Sequence, residues 1–389
     1  MSSLIVDVSK INKIEKHPNA DRLRIATVKG WQCIIGLDDF KEGELIIFIP
    51  PDSVLPDELI DKYKLEFVRK GGRVKTVKLR KFISQGLCLP IPEGKNWKEG
   101  KSVATELGIT KYEPPKARYQ GQPKPTLKST YLKYKEGDIT FRRFVAKSIG
   151  IIKDSFKPKK NSNPLFGKYT DIENIKNFNT IFKEDDEVVI TEKIHGTNFR
   201  AGYLKRPTKY FWQRWILKFF GEYEFVYGSH NVQKTPLSGK GFYGEDVYGK
   251  IAERYKLAEI IPEDYILYGE IYGKKIQELD YGMMDIDVVF FELKYQDKYV
   301  DYKTFTHFCS ERRLPVVPLL FTGKMTPDSL KYFTNGESIL AFRKNIKQMR
   351  EGCVIKMLKE EFHKRIGRKI LKSINAEYLA SKKDRTEYH

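Results

Sequence analysis

Apolar residues in this chain come in short runs, the longest being Leu45–Ile49 and Val288–Phe291, which Pro50 and Glu292 close. A membrane-spanning helix needs about 20 apolar residues in a row, so none is expected. Runs of this length between turn residues read instead as strands, and the fold should be strand-rich. At 389 residues the chain is expected to form two domains or one large one, each able to bury a core. The opening stretch, MSSLIVDVSKINKIEK, has neither a continuous apolar core nor a small-residue cleavage site, so the expected location is the cytoplasm.

Residues 1 to about 110 read as short strands: Leu4–Val8, Leu23–Val28, Trp31–Ile35, Glu44–Ile49, Val74–Lys78 and Gly86–Pro90. Pro50-Pro51 and Gly71-Gly72 break them, which suggests a small β-barrel. His17-Pro18-Asn19-Ala20-Asp21-Arg22-Leu23 resembles the motif near the start of the OB-fold tRNA-binding domains appended to some aminoacyl-tRNA synthetases. The resemblance implies an OB barrel with nucleic acid as ligand. The alternative is that His-Pro-Asn is turn chemistry joining two strands.

Residues 111–164 form a basic Pro-, Lys- and Tyr-rich linker, with one short helix expected over Phe141–Ile152. From Tyr169 onward helical and strand-like segments alternate, beginning with Asp171–Asn179, Glu187–Thr191, Asn198–Leu204 and Tyr223–Gly228. They continue through Ala252–Glu259, Tyr265–Tyr272, Val288–Leu293 and Lys303–Arg312, with helices after Gly336 and Asn375. This pattern predicts an α+β domain over residues 165–389, built around antiparallel sheets.

Charge narrows the function. Lys and Arg number 71 against 51 Asp and Glu, a net +20, and the excess is concentrated. Residues 111–170 hold 15 basic and 4 acidic residues, and residues 341–389 hold 14 and 6. Such segments attract a polyanion, nucleic acid first. Cations interleave with aromatic residues in Tyr131-Leu132-Lys133-Tyr134-Lys135 and in Phe141-Arg142-Arg143-Phe144, an arrangement that pairs phosphate contact with stacking. The alternative is a solvated connector. Cys33, Cys88, Cys309 and Cys353 form no C-x-x-C pair, and the six histidines include no H-E-x-x-H, so a bound metal is expected to be a carboxylate- and phosphate-held Mg²⁺.

The strand Glu187–Thr191 leads into Glu192-Lys193-Ile194-His195-Gly196-Thr197-Asn198. A lysine at the end of a buried strand, followed by a glycine that lets backbone approach a ligand, is where a nucleophilic amine can be placed. Four such residues recur by chance, so the company they keep matters. Downstream, in order, lie Tyr227-Gly228-Ser229-His230-Asn231, Leu267–Gly273, Val289–Leu293, Glu351–Lys356 and Lys369–Lys372.

Here the chain resembles the covalent nucleotidyltransferases, the superfamily of RNA ligases, DNA ligases and mRNA capping enzymes, from Lys193 to Lys372. K-x-H-G-T-N, in place of K-x-D-G, is similar to the RNA ligases. Only 17 residues follow Lys372, too few for the OB domain that DNA ligases and capping enzymes carry there. An OB-like domain in front resembles the Deinococcus-type nick-sealing RNA ligases.

The resemblance implies a multidomain protein: an N-terminal OB-like β-barrel and a C-terminal α+β nucleotidyltransferase domain, ATP-grasp-like with antiparallel sheets. It implies ATP as AMP donor, Mg²⁺ or Mn²⁺ as cofactor, and RNA or an RNA-containing duplex as partner. End-healing would fall to other enzymes, and the protein is expected to act as a monomer. Lys193 would attack the α-phosphate, and Lys356, Lys369 and Lys372 would supply fixed positive charge. Glu270 would meet the ribose, Phe291 stack on adenine, Glu192 contact adenine, and His195, Gly196 and Asn198 orient the pyrophosphate. Glu351 would help hold the metal. His230, Asn231, Arg142 and Arg143 are expected to touch nucleic acid.

Three features depart from the family pattern. Ser229-His230 stands where RNA ligases often carry an arginine. Arg206–Gly221 reads as an insertion, either a helix over the site mouth or an extra core-packed helix. The register of the last lysine motif is open, because Lys369 and Lys372 sit among Lys364, Arg365 and Arg368. Two alternatives stay open: nucleotidyl transfer to another acceptor, as in capping or DNA joining, and a catalytically silent RNA-binding protein.

Overall fold

A computed structural model of the chain describes residues 3–69, 71–113, 127–137, 140–145, 148, 162–208, 221–234, 246–382 and 385–386. Most of the expected insertion at Arg206–Gly221 lies outside the described residues, as does most of the stretch from 146 to 161.

Strands β1 (Asp7–Lys10), β2 (Lys13–Lys16), β3 (Leu23–Val28), β4 (Trp31–Gly36) and β5 (Leu45–Ile49) come first, followed by β6 (Ser53–Val54) and helix α1 (Asp57–Lys62). After them come β7 (Thr76–Leu79), β8 (Phe82–Gln85), β9 (Leu87–Leu89) and β10 (Thr110–Lys111). They form antiparallel sheets ordered β1-β5-β9 and β2-β3-β4, with the hairpin β7-β8 and the pair β10-β6. This is the OB barrel expected from the sequence. β4 alternates buried and half-buried residues from Trp31 to Gly36, as a strand with one face on a core must. Its Gln32 side chain donates to the Ile83 carbonyl at 2.6 Å and its Cys33 thiol to the Gln85 carbonyl at 3.0 Å, joining the hairpin to the barrel.

Helix α2 (Leu127–Lys135) follows, and its Tyr134 stacks on Phe144 at 5.0 Å. Arg142 and Arg143 are exposed beside it, away from the cleft described below.

The C-terminal part begins with β11 (Glu173–Asn174), β12 (Glu187–Lys193), β13 (Thr197–Lys205), β14 (Tyr223–Gly228) and β15 (Gln233–Lys234). Helices α3 (Val247–Arg254) and α4 (Leu257–Ile260) precede β16 (Tyr265–Gly273), β17 (Ile286–Tyr295) and β18 (Lys298–Tyr299). Then come α5 (Tyr302–Glu311), β19 (Leu319–Lys324), α6 (Pro327–Thr334), α7 (Ile339–Phe342), β20 (Gly352–Met357), β21 (Phe362–His363), β22 (Gly367–Arg368), β23 (Ile370–Ile374) and α8 (Ala376–Ala380). Two sheets dominate, ordered β11-β23-β20-β12-β19 and β15-β14-β13-β16-β17-β18; every pairing in them is antiparallel except the short β11-β23.

Asp171–Asn179, expected as one segment, is a two-residue strand and a single 3₁₀ turn that the Asn174 side chain caps. Ala252–Glu259 divides into α3 and α4 because Lys256 adopts φ 49°, which a continuous helix cannot contain.

In the first sheet Val188, Ile190, Cys353, Ile355 and Leu371 all point to one side and form a closed core with Phe178, Ile181 and Phe182. Each such burial stabilises the fold by roughly 1.5–3 kcal/mol. The opposite face is thereby left free to carry polar residues. In the second sheet Phe199, Ala201, Leu267, Ile271, Val288 and Phe290 pack under α3, α4 and α5.

The two domains touch through polar contacts. The Ser3 hydroxyl donates to Glu173 at 2.8 Å, the Lys176 amine donates to the Gln85 side chain at 2.7 Å and lies over the Trp31 ring, and Lys78 pairs with Glu377. Among the described residues no helix is long and apolar enough to cross a membrane.

Candidate active site

The polar face of the β12-β20-β23 sheet meets the open ends of β13, β16 and β17 in a cleft of about 580 Å³. That volume suits a mononucleotide-sized ligand. Register explains its floor. Thr191 pairs with Val354 and Lys193 with Gly352, while Val354 pairs with Lys372 and Lys356 with Ile370, so these side chains share one face. Lys193, Lys356 and Lys372 therefore enter one cleft from three adjacent strands.

Glu192, Lys193, His195, Gly196, Asn198, His230, Asn231, Glu270, Phe291, Glu351, Lys356 and Lys372 all line this cleft. Lys369 does not. It lies an odd number of residues from Lys372, on the other side of the strand, and its amine meets Asp186 at 2.7 Å and Glu361 at 3.3 Å. Expected to supply charge to the phosphate, it is instead a cross-brace behind the sheet. Arg142 and Arg143 are also outside the cleft.

The Lys193 amine donates to Glu351 Oε1 at 2.7 Å. Glu351 Oε2 lies 3.5 Å from His195 Nδ1, which the Tyr378 hydroxyl meets at 3.0 Å. Burial opposes ionisation of Glu351, yet Lys193 and His195 together pull its carboxyl down to about 2. Glu270, on β16, shows the opposite balance: desolvation pushes it up to about 8 against the pull of Lys193, with the Glu351 charge adding to the rise. Gly196 makes this proximity possible, because a Cβ there would lie 2.2 Å from the Ile271 carbonyl oxygen and 2.9 Å from Glu270 Cγ.

Phe291 is the unpaired residue of a bulge in β17: Phe290 pairs with Gly269 and Glu292 with Tyr268. The bulge brings both Phe291 and Glu292 to the cleft, whereas strict alternation would expose only one. Tyr169 braces the Phe291 ring edge-on at 4.9 Å. Glu292 is fully buried and accepts from Lys356 at 2.6 Å and from Arg368 at 2.8 Å. Burial disfavours its charge, but the two cations outweigh that and lower its carboxyl below the usual range. Arg368 also holds Glu360 at 2.6 Å and stacks on Tyr299 at 3.6 Å.

Glu192 donates no side-chain capacity to the floor. Its Oε2 accepts from the Ile339 N–H at the start of α7 at 2.9 Å, and burial raises its carboxyl. Its Oε1, like Asn198 Oδ1, is buried without a hydrogen-bond partner. With Glu351 Oε2, three acceptors of cleft-lining residues are thus buried without a hydrogen-bond partner.

At the second motif His230 is half-buried, and burial lowers its imidazole below the ordinary value although Asp171 pulls the other way. The Lys168 amine donates to Asn231 Oδ1 at 2.8 Å. Beneath them Arg200, on β13, donates to the Ser229 carbonyl at 2.9 Å. Sequence reasoning passed over Arg200, Glu292 and Tyr378, and named Arg368 only as a neighbour of the last lysine motif. Arg200 and Glu292 stand within the motif-bearing strands, but only the cross-strand register shows where they point.

Among the described residues no three His, Cys, Asp or Glu side chains cluster as a metal cage. Glu351, the ionised carboxylate beside Lys193, is the residue that would hold a Mg²⁺ whose shell substrate phosphates complete.

Comparison with known proteins follows the same division. Residues 5–91 match an OB-fold domain model and residues 186–374 match the RNA ligase model. Comparison with curated proteins finds no match. Among solved structures, an alanine mutant of Naegleria gruberi RNA ligase with ATP and Mn is 22% identical, covers 98% of this chain and 100% of its own, and superposes with a TM-score of 0.67. Another mutant of that ligase, with AMP and Mn, is 21% identical over the same shares with a TM-score of 0.68, and the ligase with PPi gives 22%, the same shares and 0.66. At this identity the likeness establishes the fold, across both domains.

Proposed function

Because the C-terminal domain of this chain belongs to the RNA ligase family and an OB-fold domain precedes it, we propose an ATP-dependent RNA ligase that joins 3′-OH and 5′-phosphate ends through a lysyl-AMP. The observation that carries the reading is the convergence of Lys193, Lys356 and Lys372 with Glu270 and Phe291 in a nucleotide-sized cleft. The Naegleria ligase of the same fold is described with ATP, with AMP and with PPi, the donor, the transferred group and the leaving group of such a reaction.

Lys193 must first leave Glu351 and shed a proton. Its nitrogen then bonds the α-phosphorus of ATP as the bond to the β-phosphate oxygen breaks, giving lysyl-AMP and pyrophosphate. An RNA 5′-phosphate oxygen next attacks the same phosphorus, the P–N bond breaks, and the amine regains its proton. A 3′-OH finally attacks the RNA phosphorus and AMP leaves. Lys356 and Lys372 place positive charge where the phosphorus oxygens become more negative, in a site drier than bulk water. Glu270 accepts from the ribose, and Phe291 stacks on adenine. Glu351 would help hold a divalent cation, which would add positive charge at the phosphates. The OB domain and the basic segments grip nucleic acid around the break, which we infer to be a nick in a duplex.

Treating the purified chain with α-labelled ATP or GTP tests the reading. A covalent adduct from ATP, with a mass gain of one AMP at Lys193, is expected; an adduct from GTP alone would mean capping-type chemistry, and none would mean a binding protein. A panel of 5′-labelled nicks with RNA or DNA on each strand then identifies the substrate, and joining only with ribose at the 3′ end is expected.

A further inference from the structure

In the chain between β10 of the barrel and β11 of the C-terminal domain, four aromatic rings gather on two short helical segments. Tyr131 and Tyr134 stand three residues apart on α2, which closes where Gly137 takes φ 82°. Residues 141–145 are helical again, with the Phe144 N–H donating to the Thr140 carbonyl at 2.9 Å, and Phe141 and Phe144 repeat the same spacing. A three-residue step keeps both rings of each pair on one helix face. Tyr134 stacks on Phe144 at 5.0 Å and meets Phe141 at 5.9 Å, and Tyr131 lies edge-on to Phe144 at 6.2 Å. The rings thus form one continuous row. Among the described residues, none of them joins the apolar clusters of either domain.

Rings that pack only for stability should end up covered. Phe144, in the middle of the row, is half-buried, but Tyr131, Tyr134 and Phe141 remain 51%, 37% and 63% exposed. Apolar groups left together in water mark a contact surface, and the charge around them says what it contacts. Lys133, Lys135, Arg142 and Arg143 are exposed on the same two segments, and among the described residues no carboxylate pairs with them. In the adenylation cleft, by contrast, Lys193 and Lys356 are each bound to a buried glutamate. Unneutralised cations beside open aromatic faces match the phosphates and bases of a nucleic acid. Bases inside a duplex stack on one another and turn only their edges outward, so faces of this kind serve unpaired bases.

We propose that this aromatic row is a binding site for single-stranded nucleic acid, whose bases stack on Tyr131, Tyr134 and Phe141 and whose phosphates meet the four cations beside them. The site is separate from the adenylation cleft and shares none of its lining residues. Charge alone would hold a duplex; the rings add a hold on an unpaired strand, which a nick in a continuous duplex does not offer. Taken with the ligase reading above, on which this last step rests, the site extends the substrates to breaks flanked by unpaired nucleotides.

Fluorescence anisotropy with the full-length chain and no ATP is the test, using a labelled oligouridylate of about 12 nucleotides, a length within the span of single-strand sites, and a blunt RNA duplex of the same length. Phe141→Leu keeps an apolar, helix-favouring side chain and removes the aromatic face. It is expected to weaken oligouridylate binding about 10-fold, as the loss of one stacked base does, with duplex binding and the salt dependence unchanged. Phe141→Trp should bind at least as tightly as the parent. Arg142→Gln combined with Arg143→Gln should weaken binding and reduce the slope of log K against log salt by about 1.4, roughly 0.7 for each lost phosphate contact. Parent affinity in Phe141→Leu, or an equal loss on the duplex, would overturn the proposal and leave the rings as packing or as a surface for a protein. A salt slope lowered in Phe141→Leu would assign the ring to holding the cations in place and overturn its part as a stacking face. Binding measured without ATP stands apart from the lysyl-AMP reading, which fails only if the unmutated chain forms no adduct.

Discussion

Lys193, the last residue of β12, and Glu351, immediately before the neighbouring strand β20, share a hydrogen-bonded ion pair of 2.7 Å, with the carboxylate 2% exposed and the amine facing the cleft. The nucleophile is thus held by a group that must release it before reaction. Lys193→Ala is expected to abolish adduct formation. It also leaves Glu351 without its largest stabilising charge, so a urea titration at pH 7 should show a loss of about 2 kcal/mol or more. A variant as stable as the parent would mean that the pair does not form in solution.

Strand faces separate the lysines of the last motif. Lys356→Ala and Lys372→Ala should each slow adduct formation by about 100-fold or more, as the loss of a preorganised charge does. Lys369→Ala, whose amine braces Asp186 and Glu361, should stay within about threefold. The reverse ranking in single-turnover rates would place the strand in the opposite register.

Arg368 shares Glu292 with Lys356. Arg368→Met would leave Glu292 with one cation in a fully buried place, and a cost of about 3 kcal/mol is expected from denaturant unfolding. Adduct formation should slow too, because Lys356 would then be drawn more firmly to Glu292. Recovery of stability in Arg368→Met combined with Glu292→Gln would confirm that the stranded charge is the cause.

The two carboxyls beside Lys193 give opposite pH dependences. Glu270 keeps its proton to about pH 8 in the folded chain but loses it near 4.5 when unfolded, so stability falls as pH rises between those values. Glu351 titrates near 2 when folded and 4.5 when unfolded; its contribution is present above about 4.5 and is lost as pH falls toward 2. Glu270→Gln removes only the first effect. Its melting temperature relative to the parent should therefore rise from pH 5 to pH 8, and a flat difference would contradict the buried, protonated carboxyl.

Much of this was legible in the sequence, for reasons that can be traced to particular residues. Glu187–Thr191 and Tyr265–Tyr272 read as strands because β-branched and aromatic residues fit a pleated surface, and the structure places strands over both. Thr191, Lys193, Lys356 and Lys372 could be placed near strand ends, but which of two neighbouring cations enters the cleft depends on a pairing register, Val354 with Lys372, that no local pattern encodes. The bulge at Phe291 shifts the alternation by one and hid Glu292 beside it. Tyr378 was invisible for a simpler reason: its contact with His195 joins residues 183 positions apart.

The pairing of cations with carboxylates inside the cleft has a consequence for selectivity. Lys193 is bound to Glu351 and Lys356 to Glu292, so an arriving anion must exchange partners instead of filling a vacancy. A small monovalent or divalent anion carries less charge to set against both carboxylates together, whereas a triphosphate chain carries more and spreads it along its length. The resting protein would therefore discount stray phosphate and sulfate and respond to polyphosphate, a threshold set by competition within its own side chains.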